Sequence, residues 1–166
     1  DGTYYFHIRT VDEAGNWAST AAHLGPFFID LTPPGGVLGV SSSTHTTGKW
    51  SNLNTVAVQW WGAADSGSGV GIFAYAWDRA PDTVPDATST VGSAVSTLTS
   101  PALPDAAGWY FHIRVRDGIG NWNDTAFHFG PFDIDTTPPS NPDSYSVLSR
   151  HAVNAWSPDR LVKVAW

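Results

Sequence analysis

The segment FHIRTVDEAGNWASTAAHLGPFFIDLTPP at 6–34 returns as FHIRVRDGIGNWNDTAFHFGPFDIDTTPP at 111–139, without a gap, at an offset of 105 and with 19 of 29 positions identical. A second pair, STHTTGKWSNLNTVAVQW at 43–60 and SRHAVNAWSPDRLVKVAW at 149–166, repeats at an offset of 106. A period this long exceeds that of a solenoid repeat and matches one globular domain. The chain therefore reads as a window on tandem domains. Residues 1–34 are the C-terminal part of one domain, its last two strands. Residues 35–139 are a complete domain, and 140–166 are the first two strands of the next. There is no Met, and Trp166 aligns with Trp60 in the middle of a strand, so the expectation is a piece of a longer array.

Gly and Pro together number 28 of 166 residues and cluster between apolar runs, the pattern of many short strands joined by turns. No apolar run approaches the length of a membrane helix, so no membrane insertion is expected from this segment. Without cysteine there are neither disulfides nor thiolate metal sites. A net charge of −7 argues against nucleic acid, which requires a basic face.

The strands show period 2. In Thr55–Trp60, Val56, Val58 and Trp60 share a face; in Ile72–Trp77, Phe73, Tyr75 and Trp77 do. In 109–116, Trp109, Phe111, Ile113 and Val115 point inward, and Tyr110, His112, Arg114 and Arg116 outward. Asp117–Asn121 is a turn, and Thr125–Ile134 returns as the partner strand. Such alternation marks half-buried antiparallel strands. No segment sustains a 3.6 period, so no helix is expected. The predicted core includes Val56, Val58, Trp60, Phe73, Tyr75, Trp77, Phe111 and Ile113.

The strand ending in Trp60, the aromatic strand at 73–77, the approach at Leu103 and the strand and turn Trp109–Gly120 resemble a fibronectin type III domain. The motifs SGVGIFAYAWD, GWYFHIR, GNW and TPP resemble, more narrowly, tandem Ig-like repeats of bacterial and archaeal surface and secreted proteins. The resemblance covers all of 35–139 and implies an all-β fold, a seven-stranded Ig-like sandwich of two sheets, tandemly repeated. The family's corner position is usually Tyr. It is Tyr4 in the first unit but Trp109 in the second, so that corner must be held without a hydroxyl.

No nucleophile elbow, zinc-protease motif or phosphate loop is present, and no enzymatic activity is expected. Asp133 and Asp135 are expected to be solvated. Fourteen of the fifteen acidic residues are Asp, the exception being Glu13; Asp-rich loops suit turn capping and calcium. In the sandwich, the loop at Asp65 and the turn at Asp117 lie at the pole to which the preceding domain delivers Asp30. Asp30, Asp65 and Asp117 are therefore candidate calcium ligands at the domain junction.

The histidines fall into repeat pairs, with His7 facing His23 and His112 facing His128 across each hairpin. An exposed contact outweighs a metal site for these pairs, because no third ligand is evident. Trp50, Trp61, Tyr110 and Trp122 are candidate exposed aromatics for carbohydrate stacking. Asn123-Asp124-Thr125 is a glycosylation sequon, broken at Ala18 in the first unit. The expected role is structural: an extracellular or cell-surface stalk, fibre or adhesin shaft. Its partners would be neighbouring repeats, through self-assembly, or cell-surface molecules. Pro33-Pro34 and Pro138-Pro139 would stiffen its linkers. The alternative is an accessory module of a large secreted hydrolase, with carbohydrate as its ligand.

Overall fold

The structure is a computed structural model that describes residues 1–142, 148–149 and 151–165. The described chain forms two compact units, Asp1–Thr136 and Thr137–Trp166. No helix occurs among the described residues, so none is long and apolar enough to cross a membrane.

The first unit opens with an antiparallel hairpin of β1 (Gly2–Ile8) and β2 (Ala22–Ile29). It continues through β3 (Gly39–Ser42), β4 (Trp50–Ser51), β5 (Ala57–Trp61), β6 (Val70–Asp78), β7 (Thr90–Gly92), β8 (Thr97–Thr99), β9 (Ala106–Asp117) and β10 (Phe127–Ile134). One sheet runs β4-β10-β9-β6-β7 and the other β3-β5-β8. They enclose one apolar core, as in a β-sandwich.

Residues 35–139 thus carry eight strands rather than seven. The chain splits its first strand between the sheets: β3 pairs antiparallel with β5, and β4 pairs parallel with β10. The crossing is made at Gly48, where φ is 69° and the N–H donates to the Pro131 carbonyl at 2.8 Å. A residue with a side chain resists that φ.

The alternation seen in the sequence builds the core. Val56, Val58, Trp60, Phe73, Phe111 and Ile113 are buried, while Tyr75 and Trp77 pack against them half-buried. The Trp60 ring meets Phe73 edge-on at 5.5 Å between centroids, and Trp77 lies 4.8 Å from Phe111. Val37, Val40, Leu103, Val115, Phe132 and Ile134 complete the core.

The β1–β2 hairpin repeats β9–β10 but buries none of its face. Phe6, Ile8, Phe27 and Ile29 are 44–54% exposed, whereas their repeat equivalents Phe111, Ile113, Phe132 and Ile134 are at most 1% exposed. The same face is written in both copies, but only one has a second sheet opposite it.

In the second unit, β11 (Leu148–Ser149) pairs with β12 (Val164–Ala165). His151 Nε2 donates to the Leu161 carbonyl at 2.9 Å, as His45 Nε2 does to the Leu53 carbonyl at 2.8 Å in the complete domain. Trp166, the repeat partner of Trp60, lies outside the described residues.

Candidate functional site

Three segments meet at one pole of the complete domain: the linker 30–36, the loop 64–69 and the turn 117–123. The linker is tied to both of the others. The Asp30 carboxylate accepts the Ser68 N–H at 2.6 Å and the Thr32 N–H at 3.2 Å. The Asp30 carbonyl accepts from the Asn121 amide at 3.2 Å, and the Pro34 carbonyl accepts from the Asn123 amide at 2.8 Å. The Gly35 N–H donates to the Ala64 carbonyl at 2.8 Å. Pro34 is fully buried, and Asp30 is 8% exposed. A Cβ at Gly67 would overlap the Asp30 carboxylate and force it to shift. A cleft of about 530 Å³ opens beside the junction, with Phe28, Asp30, Ser68 and Ile119 in its lining.

Asp30, Asp65 and Asp117 therefore occupy neighbouring segments, but their carboxylates accept N–H groups. Asp117 is fully buried. Its Oδ1 accepts the N–H groups of Ile119, Gly120 and Asn121 at 2.7–3.0 Å, and its Oδ2 accepts the Asn121 amide at 2.7 Å. Asp65 Oδ2 accepts from Gly67 and Gly69 at 3.1 and 2.7 Å. Burial pushes the Asp117 carboxyl up, but the bonds from Asn121, Gly120 and Ile119 outweigh it and hold the group below the usual carboxylate range. Ser68 does the same for Asp30, against burial and, after it, the negative Asp117. Among the described residues, no three His, Asp or Glu side chains are grouped to hold a metal ion.

The Asp117 turn is a repeated device. In the first copy of the repeated hairpin, Asp12 accepts the Asn16 N–H at 2.8 Å and the Asn16 side-chain amide at 3.0 Å. The sequence marked the Asp of this D-x-x-G-N turn as a candidate ligand. It did not mark Asn121 as the clamp that also grips the linker.

The histidines pair across the hairpins as their spacing implies: His7 opposite His23, and His112 opposite His128. Their Nδ1 atoms lie 2.6 and 2.7 Å apart. The second pair is not an ordinary exposed contact. His112 has no exposed surface, and its Nε2 donates to Asp78 Oδ1 at 3.2 Å. Burial lowers the His112 pKa, outweighing the pull of Asp78. Residue 112 does face away from the apolar core, but β6 lies alongside and covers it with Asp78.

The aromatic candidates divide. Trp50 is 62% and Trp61 51% exposed. Trp61 lies over Gly39, where any Cβ would strike its indole, leaving the other side of the ring to solvent. Trp122 is half-buried beneath Arg114 and Arg116, whose guanidinium carbons lie 5.1 and 5.5 Å from its ring centre. Arg9 over Trp17 repeats this at 5.4 Å. Tyr110 is also half-buried, next to the His112 ring. The corner lacking a hydroxyl is held by Trp109 Nε1, which donates to the Pro104 carbonyl at 3.1 Å. Asp133, expected to be solvated, accepts the Gly108 N–H at 2.9 Å, where β9 carries one residue more than β10 between the pairs Phe132–Trp109 and Ile134–Ala106. Asn123 of the sequon uses its amide on Pro34 and its oxygen on Thr125, at 2.8 and 3.1 Å.

Compared with protein-family models, curated proteins and solved structures, the chain shows no match.

Proposed function

We propose that this chain is a run of structural, fibronectin type III-like modules from an extracellular or cell-surface stalk, fibre or adhesin shaft, without a catalytic role. The carrying observation is the linker bonded into two loops of the following domain, through Asp30, Pro34 and Gly35. A linker with buried Pro34 and four such hydrogen bonds does not swing freely, so force and orientation pass from one module to the next. The strand order β3-β5-β8 against β4-β10-β9-β6-β7 supports the Ig-like, fibronectin type III-like reading. The repeat supports the tandem one. Nitrogen-15 relaxation of the 166-residue chain tests the stiff joint. Residues 2–29 are expected to tumble with residues 37–134 at one correlation time; independent tumbling of the hairpin would sink the proposal.

The second reading is a carbohydrate-binding accessory module of a large secreted hydrolase. Trp61 favours it: a half-exposed indole covers Gly39 on the sheet face that also carries Ser41, Gln59 and Thr97. Tryptophan fluorescence titrated with soluble glucan, xylan and chitin oligosaccharides tests it, with Trp61→Ala as control. Unchanged emission with all three removes this reading.

Calcium at the junction is a separate proposal. It requires Asp30, Asp65 and Asp117 to exchange N–H donors for the ion. A melting temperature raised by calcium, lowered by chelator and made insensitive to both by Asp65→Ala supports it. A melting temperature indifferent to calcium in the parent chain removes it.

A further inference from the structure

We propose that each repeated hairpin carries a two-histidine site for a divalent first-row transition ion, formed by the Nδ1 atoms of His112 and His128 in the second copy and of His7 and His23 in the first. The pairs sit in register on adjacent strands. Their rings meet at 4.9 and 4.8 Å between centroids, with interplanar angles of 68° and 74°. The same geometry thus arises twice, 105 residues apart.

Two imidazole nitrogens within 2.7 Å must have something between them, because facing lone pairs repel. That something is a proton or a cation. A cation held tetrahedrally by two imidazoles at about 2.0–2.1 Å sets the ligand nitrogens roughly 3.3 Å apart, so an opening of roughly 0.6 Å admits it. Aquo ligands fill the remaining positions, since His128 and His23 are exposed.

Asp78 supplies the second observation. It accepts the hydrogen bond of the His112 Nε2–H, which leaves the Nδ1 of the neutral ring as a lone pair aimed at His128. A carboxylate behind the far nitrogen of a ligating histidine fixes the tautomer and raises ligand basicity. His128 releases its Nδ1 proton to solvent, or moves it to Nε2, when the ion enters. The ligand set is imidazole only, which suits copper, nickel and zinc and not the oxygen-seeking calcium or magnesium.

Isothermal titration of the 166-residue chain with zinc chloride in chelator-free buffer is expected to show two equivalents. His128→Gln and His23→Gln each remove one, and the double variant removes both. Both substituted residues are exposed, so circular dichroism is expected to show intact folding. Asp78→Asn weakens one site by roughly tenfold or more and leaves the other unchanged. Copper binds more tightly than zinc, and calcium shows no heat at these sites. No heat with zinc, or two equivalents surviving in the double variant, overturns the proposal and leaves the pairs as proton-sharing contacts.

Discussion

The side-chain amide of Asn121 donates to the carbonyl of Asp30, 91 residues earlier in the chain, at 3.2 Å. The same amide nitrogen donates to Asp117 at 2.7 Å. One side chain thus closes the 117–121 turn and grips the 30–36 segment. The neighbouring Asn123 holds Pro34 in the same way.

Asn123→Ala is expected to loosen the linker. It removes the bond to Pro34, at a cost of about 1 kcal/mol. Hydrogen exchange at the Gly35 amide, bonded to Ala64, is expected to accelerate roughly fivefold, the rate equivalent of that energy. Thr125→Ala touches only the Asn123 oxygen and is expected to change that rate less. Equal rates in the parent and the Asn123 variant would show that the amide is not the clamp.

Trp60 separates volume from hydrogen bonding. Its Nε1 has no hydrogen-bond partner, although the side chain is buried. Trp60→Ala opens a cavity among Phe73 and Phe111 and is expected to cost about 3–5 kcal/mol. Trp60→Phe loses volume but no bond and is expected to cost clearly less. Urea unfolding of the two variants measures the difference.

Trp109 gives the converse case. Its indole N–H is bonded to the Pro104 carbonyl five residues upstream. Trp109→Phe keeps a ring at the site and removes that bond, with an expected loss of about 0.5–1.5 kcal/mol beyond the change in packing. A variant as stable as the parent would mean that the corner is held by its backbone alone.

Acid is expected to weaken the junction. The Ser68 N–H depresses the Asp30 carboxyl, and the turn amides hold Asp117 below the ordinary value of 3.8 against the upward push of burial. A folded-state pKa below the unfolded one means that the unfolded chain binds more protons. The stabilisation is therefore full above the unfolded value. It is lost as pH falls below about 4 and through the depressed folded values. Melting temperature followed from pH 6 down to about 2 is expected to drop in that window, and Asp30→Asn is expected to make the drop shallower. A profile identical in parent and variant would remove Asp30 from the account.

The sequence by itself determined what repeats and alternation can determine. The offset of 105 defined the period of the repeat. Period 2 in 55–60, 72–77 and 109–116 assigned the core faces, and the mirrored spacing of His112 and His128 about the turn set them opposite each other. These are local facts, because side-chain direction along a strand follows from the pleat alone. What sits opposite a strand, or beyond its edge, is a long-range fact. Only the tertiary structure could therefore bury His112 behind Asp78, fold Arg114 and Arg116 over Trp122, or divide the first strand between two sheets at Gly48. The junction shows the same division. The sequence brought Asp30, Asp65 and Asp117 to one pole; the hydrogen-bond geometry there decided that their oxygens meet backbone N–H groups, and that Asn121 and Asn123 hold the linker.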